Sequence, residues 1–305
     1  MRCIVFAYSE IGVESIQTLL DLNEEVVGVV THKDNPNETR WYRSVEELAV
    51  KKNIPVIAPE DANTPEVLAW VNDRRPDILF SFYYRKMLKK PLLTVAPKGA
   101  FNMHGSLLPK FRGRAPVNWA IIEGATETGL TLHEMVEKPD AGAIVARESV
   151  EIGENETARE VFDKLVPVTR RILTKIMPLF HDGSAPRQAQ IEAEASYFGA
   201  RTPEDGRLDW SWPALRIHNM VRALTRPYPG AFTFLGGKKL FVWKGAPAPG
   251  QAAGQPGKVF GPLADGIAVV TGQGLYVVKQ VGWETNDSRS AQEVLNSTKE
   301  ILCAY

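Results

Sequence analysis

At 305 residues the chain is long enough for about two domains. Apolar residues at 44% and charged residues at 24%, with 24 Gly and 21 Pro, are globular proportions that exclude disordered, collagen-like and coiled-coil chains. Thirty-six basic side chains balance 36 acidic ones, so net charge gives no reason to expect a nucleic-acid or anionic-membrane partner.

The opening run Arg2–Tyr8 (RCIVFAY) is rich in strand formers. An acid follows it at once and no small-residue cleavage site appears, so it reads as a first buried strand rather than a signal peptide. Ile11–Leu20 carries apolar residues at helical spacing, and Glu25–Thr31 (EVVGVVT) is a second strand candidate. Ser44–Lys51 and Thr64–Asn72 read as helices opened by capping residues, the second with Pro65 at its first position. Asp77–Phe82 and Gly99–His104 are further strands. Continuous apolar strands separated by helices indicate a Rossmann-like, mostly parallel sheet with helices on both faces.

After Val150 the pattern changes. Thr157–Phe180 is a long amphipathic helix with Val161, Leu165, Val168, Ile172, Ile176 and Leu179 on one stripe. The polar stretch that follows looks like a linker. From Arg207 onward the chain turns to Gly, Pro and short β-branched runs: Ala231–Leu235, Leu240–Trp243, Gly266–Thr271 and Leu275–Val281. Ala246–Gly257 reads as a loop. The expected organisation is a catalytic domain over 1–185, a linker over 186–206 and a smaller β-rich domain over 207–305. The last 100 residues hold 11 basic and 6 acidic side chains, well short of a nucleic-acid footprint. No window is apolar for long enough to span a bilayer, so no membrane insertion is expected and a reducing cytoplasm is the expected compartment. Oligomeric state has no sequence signal.

The densest polar-in-apolar segment is Phe101–Pro116 (FNMHGSLLPKFRGRAP). On a strand, Asn102 and His104 share one face while Phe101 and Met103 point to the other, and Gly105 ends the strand. The carboxyl end of a strand in a parallel sheet is where ligands bind. An amide donor and an imidazole would project there together, although a hydrogen-bonded core histidine beside a strand-end Asn gives the same pattern. The loop that follows clusters Lys110, Arg112 and Arg114 without an acid, which suits a phosphate or carboxylate, or is simply an exposed basic loop. A second constellation, Glu137–Gly142 (EKPDAG), brackets Asp140 with turn residues between strands at Gly129–Val136 and Ala143–Ala146. A carboxylate near an imidazole raises its pKa. Sequence spacing cannot bring Asp140 to His104, and an Asp before Ala-Gly is most often only a turn residue.

Other chemistries lack their signatures. The first strand is followed by SEIGVES rather than G-x-G-x-x-G, which disfavours a nicotinamide enzyme. There is no P-loop and no G-x-S-x-G elbow. The five histidines show no metal-ligand spacing, and the two cysteines stand at opposite ends of the chain, so neither a metal nor a disulfide framework is expected.

Asn102 to Pro116, as N-x-H-G-S-L-L-P-x-x-R-G-x-x-P, resembles the signature of the 10-formyltetrahydrofolate-dependent formyltransferases. The stretches Thr31–Pro36, Ser81–Arg85, His104–Trp119, Asp140–Ala146, Phe198–Gly206 and His218–Ala223 resemble most the formyltransferase half of the bifunctional polymyxin-resistance enzymes, which formylates UDP-4-amino-4-deoxy-L-arabinose in lipid A modification. Those enzymes continue into an oxidative decarboxylase domain. This chain stops at Tyr305, so it is expected to be a free-standing homologue or a fragment without that second activity.

The resemblance implies an enzyme with 10-formyltetrahydrofolate as co-substrate, a UDP-amino sugar as acceptor and an OB-like C-terminal β-barrel. It implies that Asn102 donates to the oxyanion, a contact worth about 2.7–4 kcal/mol. His104 would move the proton, a role worth roughly 10²–10⁴-fold. Asp140 would raise the pKa of His104 and orient it. Folate would lie along Lys86, Met87 and Leu88, near Arg114, and against Val136, Glu137, Lys138, Pro139 and Asp140. Met87 and Leu88 read equally well as core. Arg201 is a candidate for the nucleotide or for a structural ion pair. The alternatives are another amino-sugar nucleotide, methionyl-tRNA, and a non-catalytic folate- or nucleotide-binding module.

Overall fold

The structure is a computed structural model that describes residues 1–33, 40–250, 254–295 and 301–303. Of the stretches singled out above, Asp34–Pro36 and Gln251–Ala253 lie outside the described residues. The chain divides into two units. The first comprises Met1–Pro116, Glu127–Glu151 and Phe162–Gly199, and the second Val117–Thr126, Ile152–Val161 and Ala200–Tyr305.

In chain order the first elements are β1 (Arg2–Ala7), α1 (Ser9–Asp21), β2 (Glu25–Val30), α2 (Val45–Lys51), β3 (Val56–Ile57), α3 (Pro65–Asn72), β4 (Ile78–Phe82), α4 (Lys90–Leu93) and β5 (Ala100–His104). The helix starts follow capping chemistry. The Ser44 and Thr64 hydroxyls accept the Glu47 and Val67 N–H groups, and Pro65 occupies the first turn, where its missing N–H costs nothing. There follow β6 (Arg112–Gly113), α5 (Pro116–Ile122), β7 (Glu127–Glu134), β8 (Ile144–Glu151), α6 (Ala158–Asp182) and β9 (Tyr197–Phe198).

Among the described residues the main sheet has the order β3-β2-β1-β4-β5-β7-β8. It is parallel from β3 to β5, and β7 and β8 join antiparallel. Period two assigns its faces. Ile4, Phe6, Leu79 and Ala100 pack with Val67 and Val71 of α3 and Leu92 of α4. Phe80 and Phe101 meet Phe180 of α6 across centroid distances of 5.9 and 4.7 Å. Helices thus cover both faces, which is why the inner strands are apolar throughout. The edge strand β8 runs past the apolar Ala143–Ala146 to Glu151, its outer half alternating between half-buried and exposed because one side faces water. Residues 186–199 lie within the first unit. Gln188 exchanges backbone bonds with Ile144, and β9 pairs parallel with β6.

The second unit holds α7 (Ala214–Leu224), β10 (Ala231–Leu235), β11 (Lys238–Ala248), β12 (Val259–Leu263), β13 (Gly266–Val270), β14 (Leu275–Gly282), β15 (Arg289–Ser290) and α8 (Ala291–Leu295). Ala246–Ala248, read as the start of a loop, instead extend β11 by pairing with Leu275–Val277 of β14. The antiparallel order is β10-β11-β14-β13-β12. Cys303 then bridges Phe234 of β10, and Ile301 bridges Lys258 beside β12, so the last residues close the sheet into a barrel. Its interior contains Leu240, Val242, Ile267, Val269, Tyr276 and Val278, all at 0% exposure. The HNMVRA stretch on α7 is a clamp on backbone carbonyls: Arg222 donates to Gly153 and Glu156, and His218 Nε2 to Glu154. Among the described residues no helix is long and apolar enough to cross a membrane.

Candidate active site

Asn102 and His104 emerge on the same face at the carboxyl end of β5, while Phe101 and Met103 are buried on the other side at 0% and 1% exposure. The loop after Gly105 is tied down at several points. Thr131 of β7 donates its hydroxyl to the Ser106 carbonyl and accepts the Leu108 N–H, and Ser106 donates to the Lys110 carbonyl at 2.6 Å. Ser196 accepts the Phe111 N–H on its hydroxyl and the Arg112 N–H on its carbonyl. Phe111 is thereby held with its carbonyl 2.8 Å from His104 Nε2. A carbonyl oxygen only accepts, so Nε2 carries a hydrogen and Nδ1 is the nitrogen left for proton exchange.

The loop after β7 brings the carboxylate in. Asp140 Oδ1 lies 3.6 Å from His104 Nδ1, and Oδ2 accepts the Gly113 N–H at 2.9 Å. Two glycines make this approach possible. A Cβ on Gly113, whose φ is +99°, would meet the Phe198 carbonyl at 2.1 Å, and one on Gly142 would meet the Glu134 carbonyl at 2.0 Å. Asp140 itself sits at φ 53°, a left-handed conformation that costs a non-glycine residue roughly 1–3 kcal/mol unless its surroundings enforce it. Gln190 enforces it: its amide nitrogen donates to the Asp140 carbonyl at 2.8 Å and the Gly142 carbonyl at 2.7 Å. The other end of that amide accepts from Arg112 Nε and Nη2 at 3.1 and 2.7 Å.

Arg112 is therefore not an anion ligand. Its side chain is fully buried, and besides Gln190 it meets Glu192 at 2.9 Å and the Tyr197 hydroxyl. Of the three loop cations, Lys110 and Arg114 remain exposed.

Burial is the largest influence on His104 and pulls its pKa below the ordinary histidine value; Asp140 and the Phe111 carbonyl push it upward, and His133 adds a smaller downward pull. The expected upward effect of Asp140 is present but outweighed by desolvation. The resting ring is thus a neutral base beside a fixed carboxylate. Burial pushes the Asp140 carboxyl up, yet His104 and the Gly113 N–H hold it well below the usual carboxylate range. This arrangement accepts a proton on an imidazole and stabilises the ion formed, the task a carboxylate performs behind a catalytic histidine.

The other sequence candidates divide. Met87 at 51% and Val136 at 43% exposure present apolar surface, whereas Leu88 is 3% exposed and belongs to the core that includes Leu79 and Leu92. Lys86, Glu137 and Pro139 are exposed, and Lys138 pairs with Glu192. Exposed apolar side chains beside backbone amides suit the face and edge of a flat heteroaromatic ring. In the second unit, Arg201 donates to the Asp205 carbonyl at 2.7 Å and stacks on Trp119 at 4.6 Å. Sequence reasoning missed Gln190 and His133. Gln190 lies in a stretch without periodicity. His133, however, sits on the alternating strand directly opposite Asn102, a register the sheet order alone supplies.

The sequence pattern described as "Formyl transferase" matches residues 1–177, and that described as "Formyl transferase, C-terminal domain" matches residues 201–299. Among solved structures, WlaRD, a sugar 3N-formyltransferase crystallised in the presence of dTDP and 5-N-formyl-THF, is 20% identical with a TM-score of 0.69, covering 91% of this chain and 96% of its own. An N-formyltransferase from Helicobacter canadensis in complex with folinic acid and dTDP-3-aminofucose is 19% identical with a TM-score of 0.70, over 91% and 98%. HypX from Aquifex aeolicus in complex with tetrahydrofolic acid is 16% identical with a TM-score of 0.65, over 97% of this chain and 47% of its own. At these identities the likeness is one of fold.

Proposed function

The chain belongs to the formyl transferase family, and we propose that it moves a formyl group from N10-formyltetrahydrofolate to the 4-amine of UDP-4-amino-4-deoxy-L-arabinose. The observation that carries the chemistry is the convergence of Asn102, His104 and Asp140 from β5 and the loop after β7, with His104 Nδ1 3.6 Å from Asp140. The folate supplies the activated one-carbon unit; Met87 and Val136 offer apolar cover for its ring, with Lys86, Arg114 and the 137–140 backbone around it. Leu88 contributes from beneath as core. On this reading residues 186–199, which carry Gln190, belong to the catalytic domain, and the barrel begins near 207.

His104 takes the proton that the sugar amine loses as it attacks, and returns it to the departing nitrogen. Asn102 donates to the formyl oxygen as negative charge grows there. Asp140 stays ionised, stabilises the imidazolium and fixes the ring against the Phe111 carbonyl.

The arabinose nucleotide is supported by Ser81–Arg85, His104–Trp119 and His218–Ala223, which resemble that branch of the family. A second reading, a dTDP-linked amino sugar, is favoured by the ligands of WlaRD and the Helicobacter canadensis enzyme. Formyl transfer monitored on both nucleotides tests the choice: UDP-4-amino-4-deoxy-L-arabinose is expected to react, and exclusive turnover of a dTDP-amino sugar would replace it.

A further inference from the structure

We infer that His133 is a positioning residue for formyl transfer, deciding which end of the Asn102 amide faces the reacting carbonyl. The inference rests on Asn102 being the oxyanion donor.

An asparagine amide can sit either way round with little change of shape, yet the two orientations are opposite in chemistry. Nitrogen outward, it donates to a developing oxyanion; oxygen outward, it repels one. Something must choose between them. His133 stands directly opposite Asn102 across the β5–β7 pairing and is 2% exposed. Its Nδ1 lies 2.7 Å from the carbonyl of Glu134, and because a carbonyl only accepts, Nδ1 carries the hydrogen. That leaves Nε2 with its lone pair, 3.2 Å from Asn102 Nδ2. Nε2 accepts one amide hydrogen, which fixes the amide nitrogen toward His133 and leaves the second N–H for the formyl oxygen. The chain of choice runs from the Glu134 carbonyl through the tautomer of His133 to the orientation of Asn102.

The same tautomer serves Asp140. Nε2 of His133 is 3.5 Å from Asp140 Oδ1, so a hydrogen on that nitrogen would draw the carboxylate away from His104; a lone pair leaves it free to support the catalytic ring. Asn102 and Asp140 thus depend on one nitrogen.

The test is a double-mutant cycle on formyl transfer with Asn102→Ala, His133→Leu, the double variant, and His133→Gln, whose Oε1 reaches the place of Nε2 and can accept the amide hydrogen. His133→Leu is expected to lower kcat by about 10–10²-fold with KM for both substrates nearly unchanged, and His133→Gln to recover most of that loss. The double variant should be no slower than Asn102→Ala, since the two act as one unit. Full activity in His133→Leu, or losses that multiply in the double variant, would overturn the inference. Full activity in Asn102→Ala would instead remove the oxyanion assignment on which it stands. Long-range 1H–15N correlation spectra of the wild-type enzyme read the tautomer directly, whether or not His133→Leu folds. A pyridine-type Nε2 on His133 is expected, and a protonated Nε2 opposite a bare Nδ1 would contradict it.

Discussion

Replacing Gln190 separates two jobs that one amide performs. In Gln190→Glu, a carboxylate still accepts from the Arg112 guanidinium, but the nitrogen that donates to the Asp140 and Gly142 carbonyls is gone. Two neutral hydrogen bonds at about 1 kcal/mol each are lost, and the charge-assisted bonds from Arg112 offset part of that, so stability should fall by no more than about 2 kcal/mol. In Gln190→Leu, Arg112 also loses an acceptor for two of its nitrogens while fully buried, and the cost rises to roughly 3–5 kcal/mol. Both variants release the left-handed Asp140, whose carboxylate then drifts from His104; a misplacement on the order of 1 Å can cost about 10²-fold in rate. Denaturant unfolding should therefore rank Leu well below Glu, while initial-rate formyl transfer should show both reduced about 10–10²-fold in kcat. A Gln190→Glu enzyme with wild-type kcat would refute the claim that this amide holds the catalytic loop.

Four further outcomes follow from the structure. Asp140→Asn removes the charge that opposes burial at His104, so the imidazole pKa falls further; the acid limb of the kcat profile should move to lower pH and kcat should drop roughly 10²–10⁴-fold, checked by pH–rate measurements. The ionised Asp140 also stabilises the fold above the unfolded carboxyl value, a contribution lost as pH falls through its lower folded value, so acid unfolding of Asp140→Asn should show a weaker pH dependence. His32, pulled down to about 4 by burial and then by Arg85 and Lys86, binds its proton in the unfolded chain first; wild-type stability should fall as pH drops from about 6.5 toward 4. His32→Phe keeps the stack on Tyr84 at 4.1 Å and should flatten that slope in denaturant melts at pH 5 and 8. In the second unit, Arg222→Leu removes charge-assisted bonds to the half-buried Gly153 and Glu156 carbonyls and should cost roughly 3 kcal/mol in the same assay.

Strand and helix placement in the first unit was legible because each signal was local. Arg2–Tyr8, Glu25–Thr31 and Asp77–Phe82 are apolar runs with turn residues at their ends, and the Ser44 and Thr64 caps mark where helices begin. Asn102 and His104 could be placed together because period two is a property of one strand. The proximity of Asp140 to His104 could not, because it depends on β7 lying beside β5. The basic loop misled for a related reason: Lys110, Arg112 and Arg114 look alike in sequence, and only the partners of Arg112 in residues 190–197 show that the middle cation is buried. Gln190 was hidden by its neighbourhood, a polar stretch without periodicity that reads as linker. The direction of the His104 shift was also beyond the sequence, since the opposing effects of burial and Asp140 can be weighed only when both are located. In the second unit, β11 outran its apolar core into Ala246–Ala248 because ladder pairing with β14 outweighs the turn preference of Pro247.

The proposed activity of this site is transfer of formyl groups to a nucleotide-linked amino sugar through His104. Its most direct test is a single assay of 10-formyltetrahydrofolate consumption and product mass, run with UDP-4-amino-4-deoxy-L-arabinose, dTDP-linked amino sugars and methionyl-tRNA, for the wild type and His104→Ala. The predicted result is a product heavier by one formyl group on the arabinose nucleotide, absent with methionyl-tRNA and lost in His104→Ala. Formylation of methionyl-tRNA, or full turnover by His104→Ala, would contradict it.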